Sequence, residues 1–190
     1  MELKGSQTEK NLLIAFAGES QARNRYTYYA GEAKKAGYEY IAAIFLETAE
    51  NEKEHAKVFF KHLGEGTAEI VAAYPFHLGD TLSNLIAAVE GEHYEWTTLY
   101  QNFAIVADQE GFKDIAASFR EIAKVEHFHE SRYQALVERC KHGTLFKRGE
   151  TVTWHCRNCG YIAKGKEAPE SCPSCKHPRA YYEVLAENYR

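Results

Sequence analysis

Two stretches, Glu52-Lys-Glu-His55 and Glu126-His-Phe-His129, decide how this chain is read. Each puts a glutamate and a histidine three residues apart, on one face of a helix. Each also sits inside an apolar stripe. Ile41, Phe45, Thr48, Phe59 and Leu63 keep helical spacing around the first; Ile115, Phe119, Ile122, Tyr133 and Leu136 do so around the second. A carboxylate in the middle of a core stripe is costly unless its charge is compensated. Two such pairs point to metal as the compensation.

Working outward, the chain repeats itself. With Gly37-Tyr38 set against Gly111-Phe112, Ile41 falls on Ile115, Phe45 on Phe119, Glu52 on Glu126 and His55 on His129, without a gap. Tyr26 falls on Tyr100, whereas Glu19 lands one residue from Glu92. The helix before each pair carries its own interrupted stripe. One reads Leu12, Ala15, Glu19, Ala22, Tyr26, Tyr29, Ala33; the other reads Leu85, Val89, Glu92, Trp96, Leu99, Phe103, Val106. A helical hairpin thus appears twice, which predicts a four-helix bundle with internal pseudo-symmetry. Ser6-Gln-Thr-Glu9 is a capping box for the first helix, and Asp80 or Ser83 caps the third. Gly37, Gly64, Gly66 and Gly111 mark the turns. Residues 65–79 read as a connection that runs along the bundle, with a short strand as the alternative.

Such a bundle brings Glu19, Glu52, Glu92 and Glu126 to similar depth, with His55 and His129 beside two of them. This is a di-metal carboxylate pattern, one glutamate from each of two helices and Glu-x-x-His from each of the others. Carboxylate oxygen with some imidazole suits iron or manganese. Two divalent ions balance four glutamates and remove the repulsion that would otherwise protonate some of them. Glu95, three residues beyond Glu92, offers a fifth carboxylate on nearly the same face. Tyr26 and Tyr100 lie one to two turns from these glutamates, where their hydroxyls can brace carboxylates or their rings simply fill the core. His62, His93 and His127 read as ordinary helix histidines.

The formal charge of −4 is mild and gives no case for nucleic-acid binding. The N-terminus has no apolar stretch of signal-peptide type, and no apolar run approaches the ~20 residues of a membrane span. The chain is therefore expected to be cytoplasmic. Of five cysteines, four form two C-x-x-C pairs and Cys140 stands alone, which fits metal ligation in a reducing compartment better than a disulfide frame.

After Gly143 the character changes. Residues 1–143 read as the helical bundle and 144–153 as a linker with some β-tendency. Residues 154–190 read as a small metal-stapled β domain, too short to fold well without its metal. Cys156-Arg-Asn-Cys159 and Cys172-Pro-Ser-Cys175 supply four thiolates for a tetrahedral site, whose metal is zinc or iron. Zinc would make the tail structural. Iron would make it a one-electron relay, and the neighbouring di-metal site favours iron because a redox centre needs an electron supply.

At these residues the sequence resembles rubrerythrin, a family that joins a ferritin-like di-iron bundle to a C-terminal rubredoxin-like domain. The resemblance covers essentially the whole chain. It runs through Gly18-Glu-Ser-Gln-Ala-Arg-Asn-Arg-Tyr26, Glu52-x-x-His55, Glu92-His-Tyr-Glu95, Glu126-x-x-His129 and both cysteine knuckles. It implies that Glu19, Glu52, Glu92, Glu95, Glu126 and His129 hold two irons, with Glu52 and Glu126 bridging. It implies that His55 is an alternate ligand, exchanged with Glu95 on reduction, and that Tyr26 and Tyr100 brace the ligands. Cys156, Cys159, Cys172 and Cys175 would hold a third iron. The implied activity is reduction of hydrogen peroxide to water under oxidative stress. The implied electron donor is rubredoxin or an NAD(P)H-dependent reductase. The implied assembly is a homodimer in which one subunit's tail serves the other's di-iron site. A linker of ~10 residues spans at most ~35 Å, which leaves service within or between subunits open. A ferroxidase or iron-handling role, and a structural zinc-ribbon protein without turnover, are the rival readings.

Overall fold

The computed structural model describes residues 2–187. Helix α1 (Gln7–Lys35) starts at Ser6, whose hydroxyl accepts the Glu9 N–H at 3.0 Å. The Glu9 carboxylate turns back to the N–H of Gly5, one residue earlier than a strict capping box. Gly37, at a φ of 80°, makes the turn into α2 (Glu39–Leu63). The two helices pack along each other as the first hairpin.

Residues 64–80 form neither helix nor strand and run as a strap over the bundle. Tyr74 anchors it, donating its hydroxyl to the carbonyl of Ile14 in α1 at 3.0 Å. The short strand allowed as an alternative does not form. Asp80 caps α3 (Thr81–Tyr94) by accepting the Ser83 N–H at 2.8 Å.

The third rod differs from the single stripe expected of it. It is α3, then a π-helical segment Glu95–Leu99, then α4 (Tyr100–Gln109). The Tyr100 N–H reaches the Glu95 carbonyl, five residues back, so one extra residue is absorbed here. The buried face therefore runs Leu85, Ala88, Glu92 before the π turn and Tyr100, Ala104, Ala107 after it. Trp96, Leu99, Phe103 and Val106 are displaced to half-buried positions, and Val89, before the turn, is half-buried beside Ala88. Trp96 uses its new place to donate its indole N–H to Glu130. The slip of one residue between Glu19 and Glu92, against perfect register at Tyr26 and Tyr100, is the trace of this insertion in the sequence. Helix α5 (Lys113–Lys141) returns along α3 and α4 to complete the second hairpin.

Two apolar clusters fill the bundle, one toward each end. Tyr26, Tyr29, Phe45, Leu85 and Tyr133 centre the first; Phe59, Tyr100, Phe119 and Ala104 centre the second. Phe45 and Tyr133 lie 5.2 Å apart between ring centroids, and Phe59 and Phe119 lie 5.1 Å apart. Each fully buried aromatic or aliphatic side chain stabilises the fold by ~1.5–3 kcal/mol. These two clusters hold the rods against the cost of what lies between them.

The tail is a three-stranded antiparallel sheet with β1 (Lys147–Cys156) between β2 (Ile162–Glu167) and β3 (Tyr182–Val184). The first strand reaches back into the stretch expected to be linker, because Lys147 pairs with Glu167 across an irregularity near Gly149. Trp154, fully buried, is the sheet's anchor and donates its indole N–H to the carbonyl of Gly165 at 3.0 Å. Phe146 packs against both the bundle core and this small core, which joins the two parts. The last three residues of the 154–190 tail lie outside the described residues. Among the described residues no helix is long and apolar enough to cross a membrane.

Candidate metal centres

Between the two apolar clusters, all four rods turn an ionisable side chain inward. Ligand-type atoms of Glu19, Glu52, His55 and Glu126 lie within 4.8 Å of one another, and so do those of Glu52, Glu92, Glu126 and His129. Glu52 and Glu126 belong to both groups. The two halves mirror each other. His55 Nδ1 stands 2.9 Å from Glu52, 2.9 Å from Glu126 and 3.8 Å from Glu19. His129 Nδ1 stands 2.9 Å from Glu126, 3.3 Å from Glu52 and 3.5 Å from Glu92.

The two hairpins brace each other's carboxylates. Tyr26 of α1 donates to Glu92 of α3 at 2.5 Å, and Tyr100 of α4 donates to Glu19 of α1. Each tyrosine thus leaves one oxygen of its carboxylate for other work. Asn51 is a contact the sequence did not single out: its Oδ1 lies 3.2 Å from His129 Nε2. A proton held on Nε2 by that acceptor leaves Nδ1, the atom facing the carboxylates, as the free nitrogen of neutral His129. Asn51 reaches across from α2 to α5, a contact that periodicity along one helix does not reveal.

Glu95 stands apart from the two tight groups. It enters from the π turn, near enough for Glu19, Glu92, Glu126 and Glu52 to act on it electrostatically. Burial first, and those four charges second, hold its carboxyl well above the ordinary carboxylate range.

Donor atoms without hydrogen-bond partners test whether metal fits. Glu19 Oε2, Glu52 Oε1, Glu92 Oε2, both oxygens of Glu126 and His129 Nδ1 are buried and make no aligned hydrogen bond, although the two imidazoles approach Glu126 to 2.9 Å. Leaving so many such atoms unsatisfied in a core is untenable without a ligand. They converge on two adjoining positions, and their hard oxygen and imidazole chemistry suits iron or manganese. The residues fit a pair of divalent ions.

In metal-free protein, protons must take over this role. Burial and the Glu52 charge push Glu19 up to about 7 and Glu92 up to about 8. Burial works against a charged His129, yet the Glu126, Glu52 and Glu92 carboxylates outweigh it and push the imidazole up to about 12. Each of these folded-state values lies above the ordinary one. The folded chain therefore binds more protons than the unfolded chain, and stability falls as pH rises through this range. We expect the melting temperature of metal-free protein to drop by ~10 °C or more from about pH 5 to about pH 8. Metal-loaded protein should be nearly flat over the same span. Calorimetry of the metal-free protein showing a level or rising melting temperature would contradict this account of the site.

In the tail, Cys156 Sγ lies 3.8 Å from Cys175 Sγ and Cys159 Sγ lies 3.6 Å from Cys172 Sγ. A tetrahedron of thiolates at the usual ~2.3 Å from a metal has edges of ~3.8 Å. The four sulfurs are therefore already at ligand spacing, all within 4.8 Å of one another. The His177 N–H, donated to Cys175, pushes that thiol down to about 6, into the thiolate form a metal needs. Cys140 lies outside both sites, half-buried against the bundle core, where burial raises its thiol. His62 pairs with Ser118 and His93 with Glu130, and His127 packs on Trp96; none of the three joins a metal group.

Comparison with known proteins agrees with this geometry. Residues 10–137 match the family model described as Rubrerythrin. The chain belongs to the rubrerythrin family. Residues 154–183 match the model described as Rubrerythrin, rubredoxin-like domain. The rubrerythrin of Porphyromonas gingivalis is 57% identical over 188 residues, covering 98% of this chain and 94% of that protein. The rubrerythrin of Nitratidesulfovibrio vulgaris is 53% identical and covers 98% of each chain. Among solved structures, nigerythrin in its mixed-valence state aligns with a TM-score of 0.62 at 30% identity, over 96% of this chain and 91% of nigerythrin. As a rubrerythrin-family member, the chain combines a ferritin-like bundle, a Glu/His site of di-iron type and a four-cysteine rubredoxin-like site.

Proposed function

We propose that this protein is a non-haem di-iron peroxidase that reduces hydrogen peroxide to water, fed through the four-cysteine iron. One observation carries the reading. A cluster suited to two redox metals and a cluster suited to one lie in the same chain, and the second has no evident use in storage. When bound, a pair of ferrous ions supplies two electrons at once, enough to cleave peroxide without releasing a radical.

The chain's own groups set up that chemistry. Glu52 and Glu126, shared by both groups, are the two residues that both ions would hold in common. Glu19 with His55 would hold one ion, and Glu92 with His129 would hold the other. Tyr26 and Tyr100 fix the terminal carboxylates from the opposite hairpin. His55 and Glu95 both border Glu19, from α2 and from the π turn. That placement supports a reading in which the histidine would serve the site when reduced and the carboxylate when oxidised. Glu95 also lines the cavity beside the site, where its carboxyl would stand next to a bound peroxide. Rubredoxin or an NAD(P)H-dependent reductase is the proposed donor, and a cytoplasmic homodimer the proposed assembly. Each chain supplies a full set of residues for both centres, so pairing decides only which tail serves which bundle.

The test is anaerobic mixing of fully reduced protein with one equivalent of hydrogen peroxide, compared with air-saturated buffer. Rapid, stoichiometric reoxidation by peroxide that outpaces dioxygen is expected. Preference for dioxygen, with iron accumulating in the protein, would favour the ferroxidase reading instead.

A further inference from the structure

The strap does more than join α2 to α3. Together with α1, α3 and α4 it borders a half-open cavity of about 850 Å³. Ile14, Ala15, Ile86, Ala87, Leu99 and Phe103 give it apolar walls, and Ala72 and Ala73 of the strap line its outer side. Glu95 and Tyr100 also line it, and Tyr100 is hydrogen-bonded to Glu19. The cavity therefore extends from beneath the strap to Glu95 and to the tyrosine that braces Glu19. Its outer wall is fastened. Tyr74 is bonded to the Ile14 carbonyl, and the buried Arg25 donates to the Pro75 carbonyl at 3.1 Å and to Gln21 at 2.7 Å.

Hydrogen peroxide does not need such a space. A water-sized molecule occupies ~30 Å³, and small polar molecules gain nothing from apolar walls. Cavities of ~300–1,000 Å³ lined by apolar side chains with a few polar groups at one end are the size and character of sites for organic ligands. We propose that the cavity admits organic hydroperoxides, with the alkyl or aryl group against Ile14, Ala87, Leu99 and Phe103 and the hydroperoxide end at Glu95. This rests on the peroxidase reading and names a second substrate class for the same centre. The O–O bond of the hydroperoxide breaks, two electrons come from the reduced di-iron centre, and two protons are taken up. The products are one alcohol and one water. The alcohol leaves by the same cavity.

The experiment uses metal-loaded, fully reduced protein with hydrogen peroxide and with cumene hydroperoxide, in the natural chain and in Ala87→Phe and Ala73→Phe. One lies on the strap and the other on α3, and neither belongs to a metal group. The natural chain should consume both peroxides. Each variant should hold its hydrogen peroxide rate within about twofold while losing ~10-fold or more with cumene hydroperoxide, since the added ring fills the space. Retained hydrogen peroxide turnover also shows that the variant is folded. Independently of turnover, the product alcohol, 2-phenyl-2-propanol, should show saturation-transfer NMR contact with the natural chain and lose it in Ala87→Phe. Hydrogen peroxide reduced, cumene hydroperoxide refused and no alcohol contact would overturn the inference and leave the peroxidase reading standing. The same would follow if a second copy of the chain fills the cavity in solution, seen as a dimer that excludes the alcohol. Failure with both peroxides would remove the reading and the inference together.

Discussion

Cys156→Ser should stop sustained peroxide reduction while leaving one turnover intact. Cys156 is fully buried at the end of β1 and opposes Cys175 across the sulfur tetrahedron. Burial pushes its thiol up to about 12, so only a bound metal holds it as thiolate. Serine offers a poorer ligand, and a tail this short loses its staple along with its fourth sulfur. The bundle keeps its own two apolar clusters and its own ligand set, so its fold does not depend on the tail. Steady-state turnover with an electron donor should fall more than ~100-fold, beyond the ~10–100-fold that follows loss of a ligand's hydrogen-bond partner. The red colour of thiolate-bound ferric iron should vanish. Protein reduced beforehand with dithionite should still consume one equivalent of peroxide at the natural rate. An inert pre-reduced variant would show that the division of labour between bundle and tail is wrong.

The second large effect is at Glu95. Glu95→Ala should keep the fold and both bundle metals while slowing peroxide turnover ~10–100-fold. The reason lies in the geometry. The two tight groups contain Glu19, Glu52, His55, Glu92, Glu126 and His129, and Glu95 belongs to neither. Six ligands therefore remain when it is removed. What is lost is the carboxylate available to the oxidised site and the half-buried carboxyl that lines the cavity. Removing a half-buried carboxylate that four others repel also relieves that repulsion, so the metal-free variant should melt higher than the natural protein at about pH 8. Metal analysis of the purified variant separates the possibilities. Loss of iron would make Glu95 a required anchor, and unchanged turnover would leave it without a role in the reaction.

Much of this was legible in the chain itself. Glu52 with His55 and Glu126 with His129, each set in an apolar stripe, determined the helices, the repeat and the metal character of the core. The reason is that helical periodicity is local and a buried charge is conspicuous. Two C-x-x-C pairs determined the tail for the same reason: thiolates at that spacing have few other uses. The π turn was visible only as a one-residue slip between Glu19 and Glu92, which has no meaning until the rod is seen to absorb it at Glu95–Leu99.

Contacts between distant segments were decided by the tertiary structure alone. Tyr26 and Tyr100 brace carboxylates of the opposite hairpin, at separations of 66 and 81 residues. Asn51 reaches His129 across 78 residues, and Tyr74 seats the strap on Ile14 across 60. Nothing in the local pattern ranks these partners, because each is chosen by which surfaces the closed bundle brings together. The sequence by itself specified the clusters of metal-ligand type; only the packed rods decided that Glu95 stands outside the two tight groups, what braces the others and what space lies beside them.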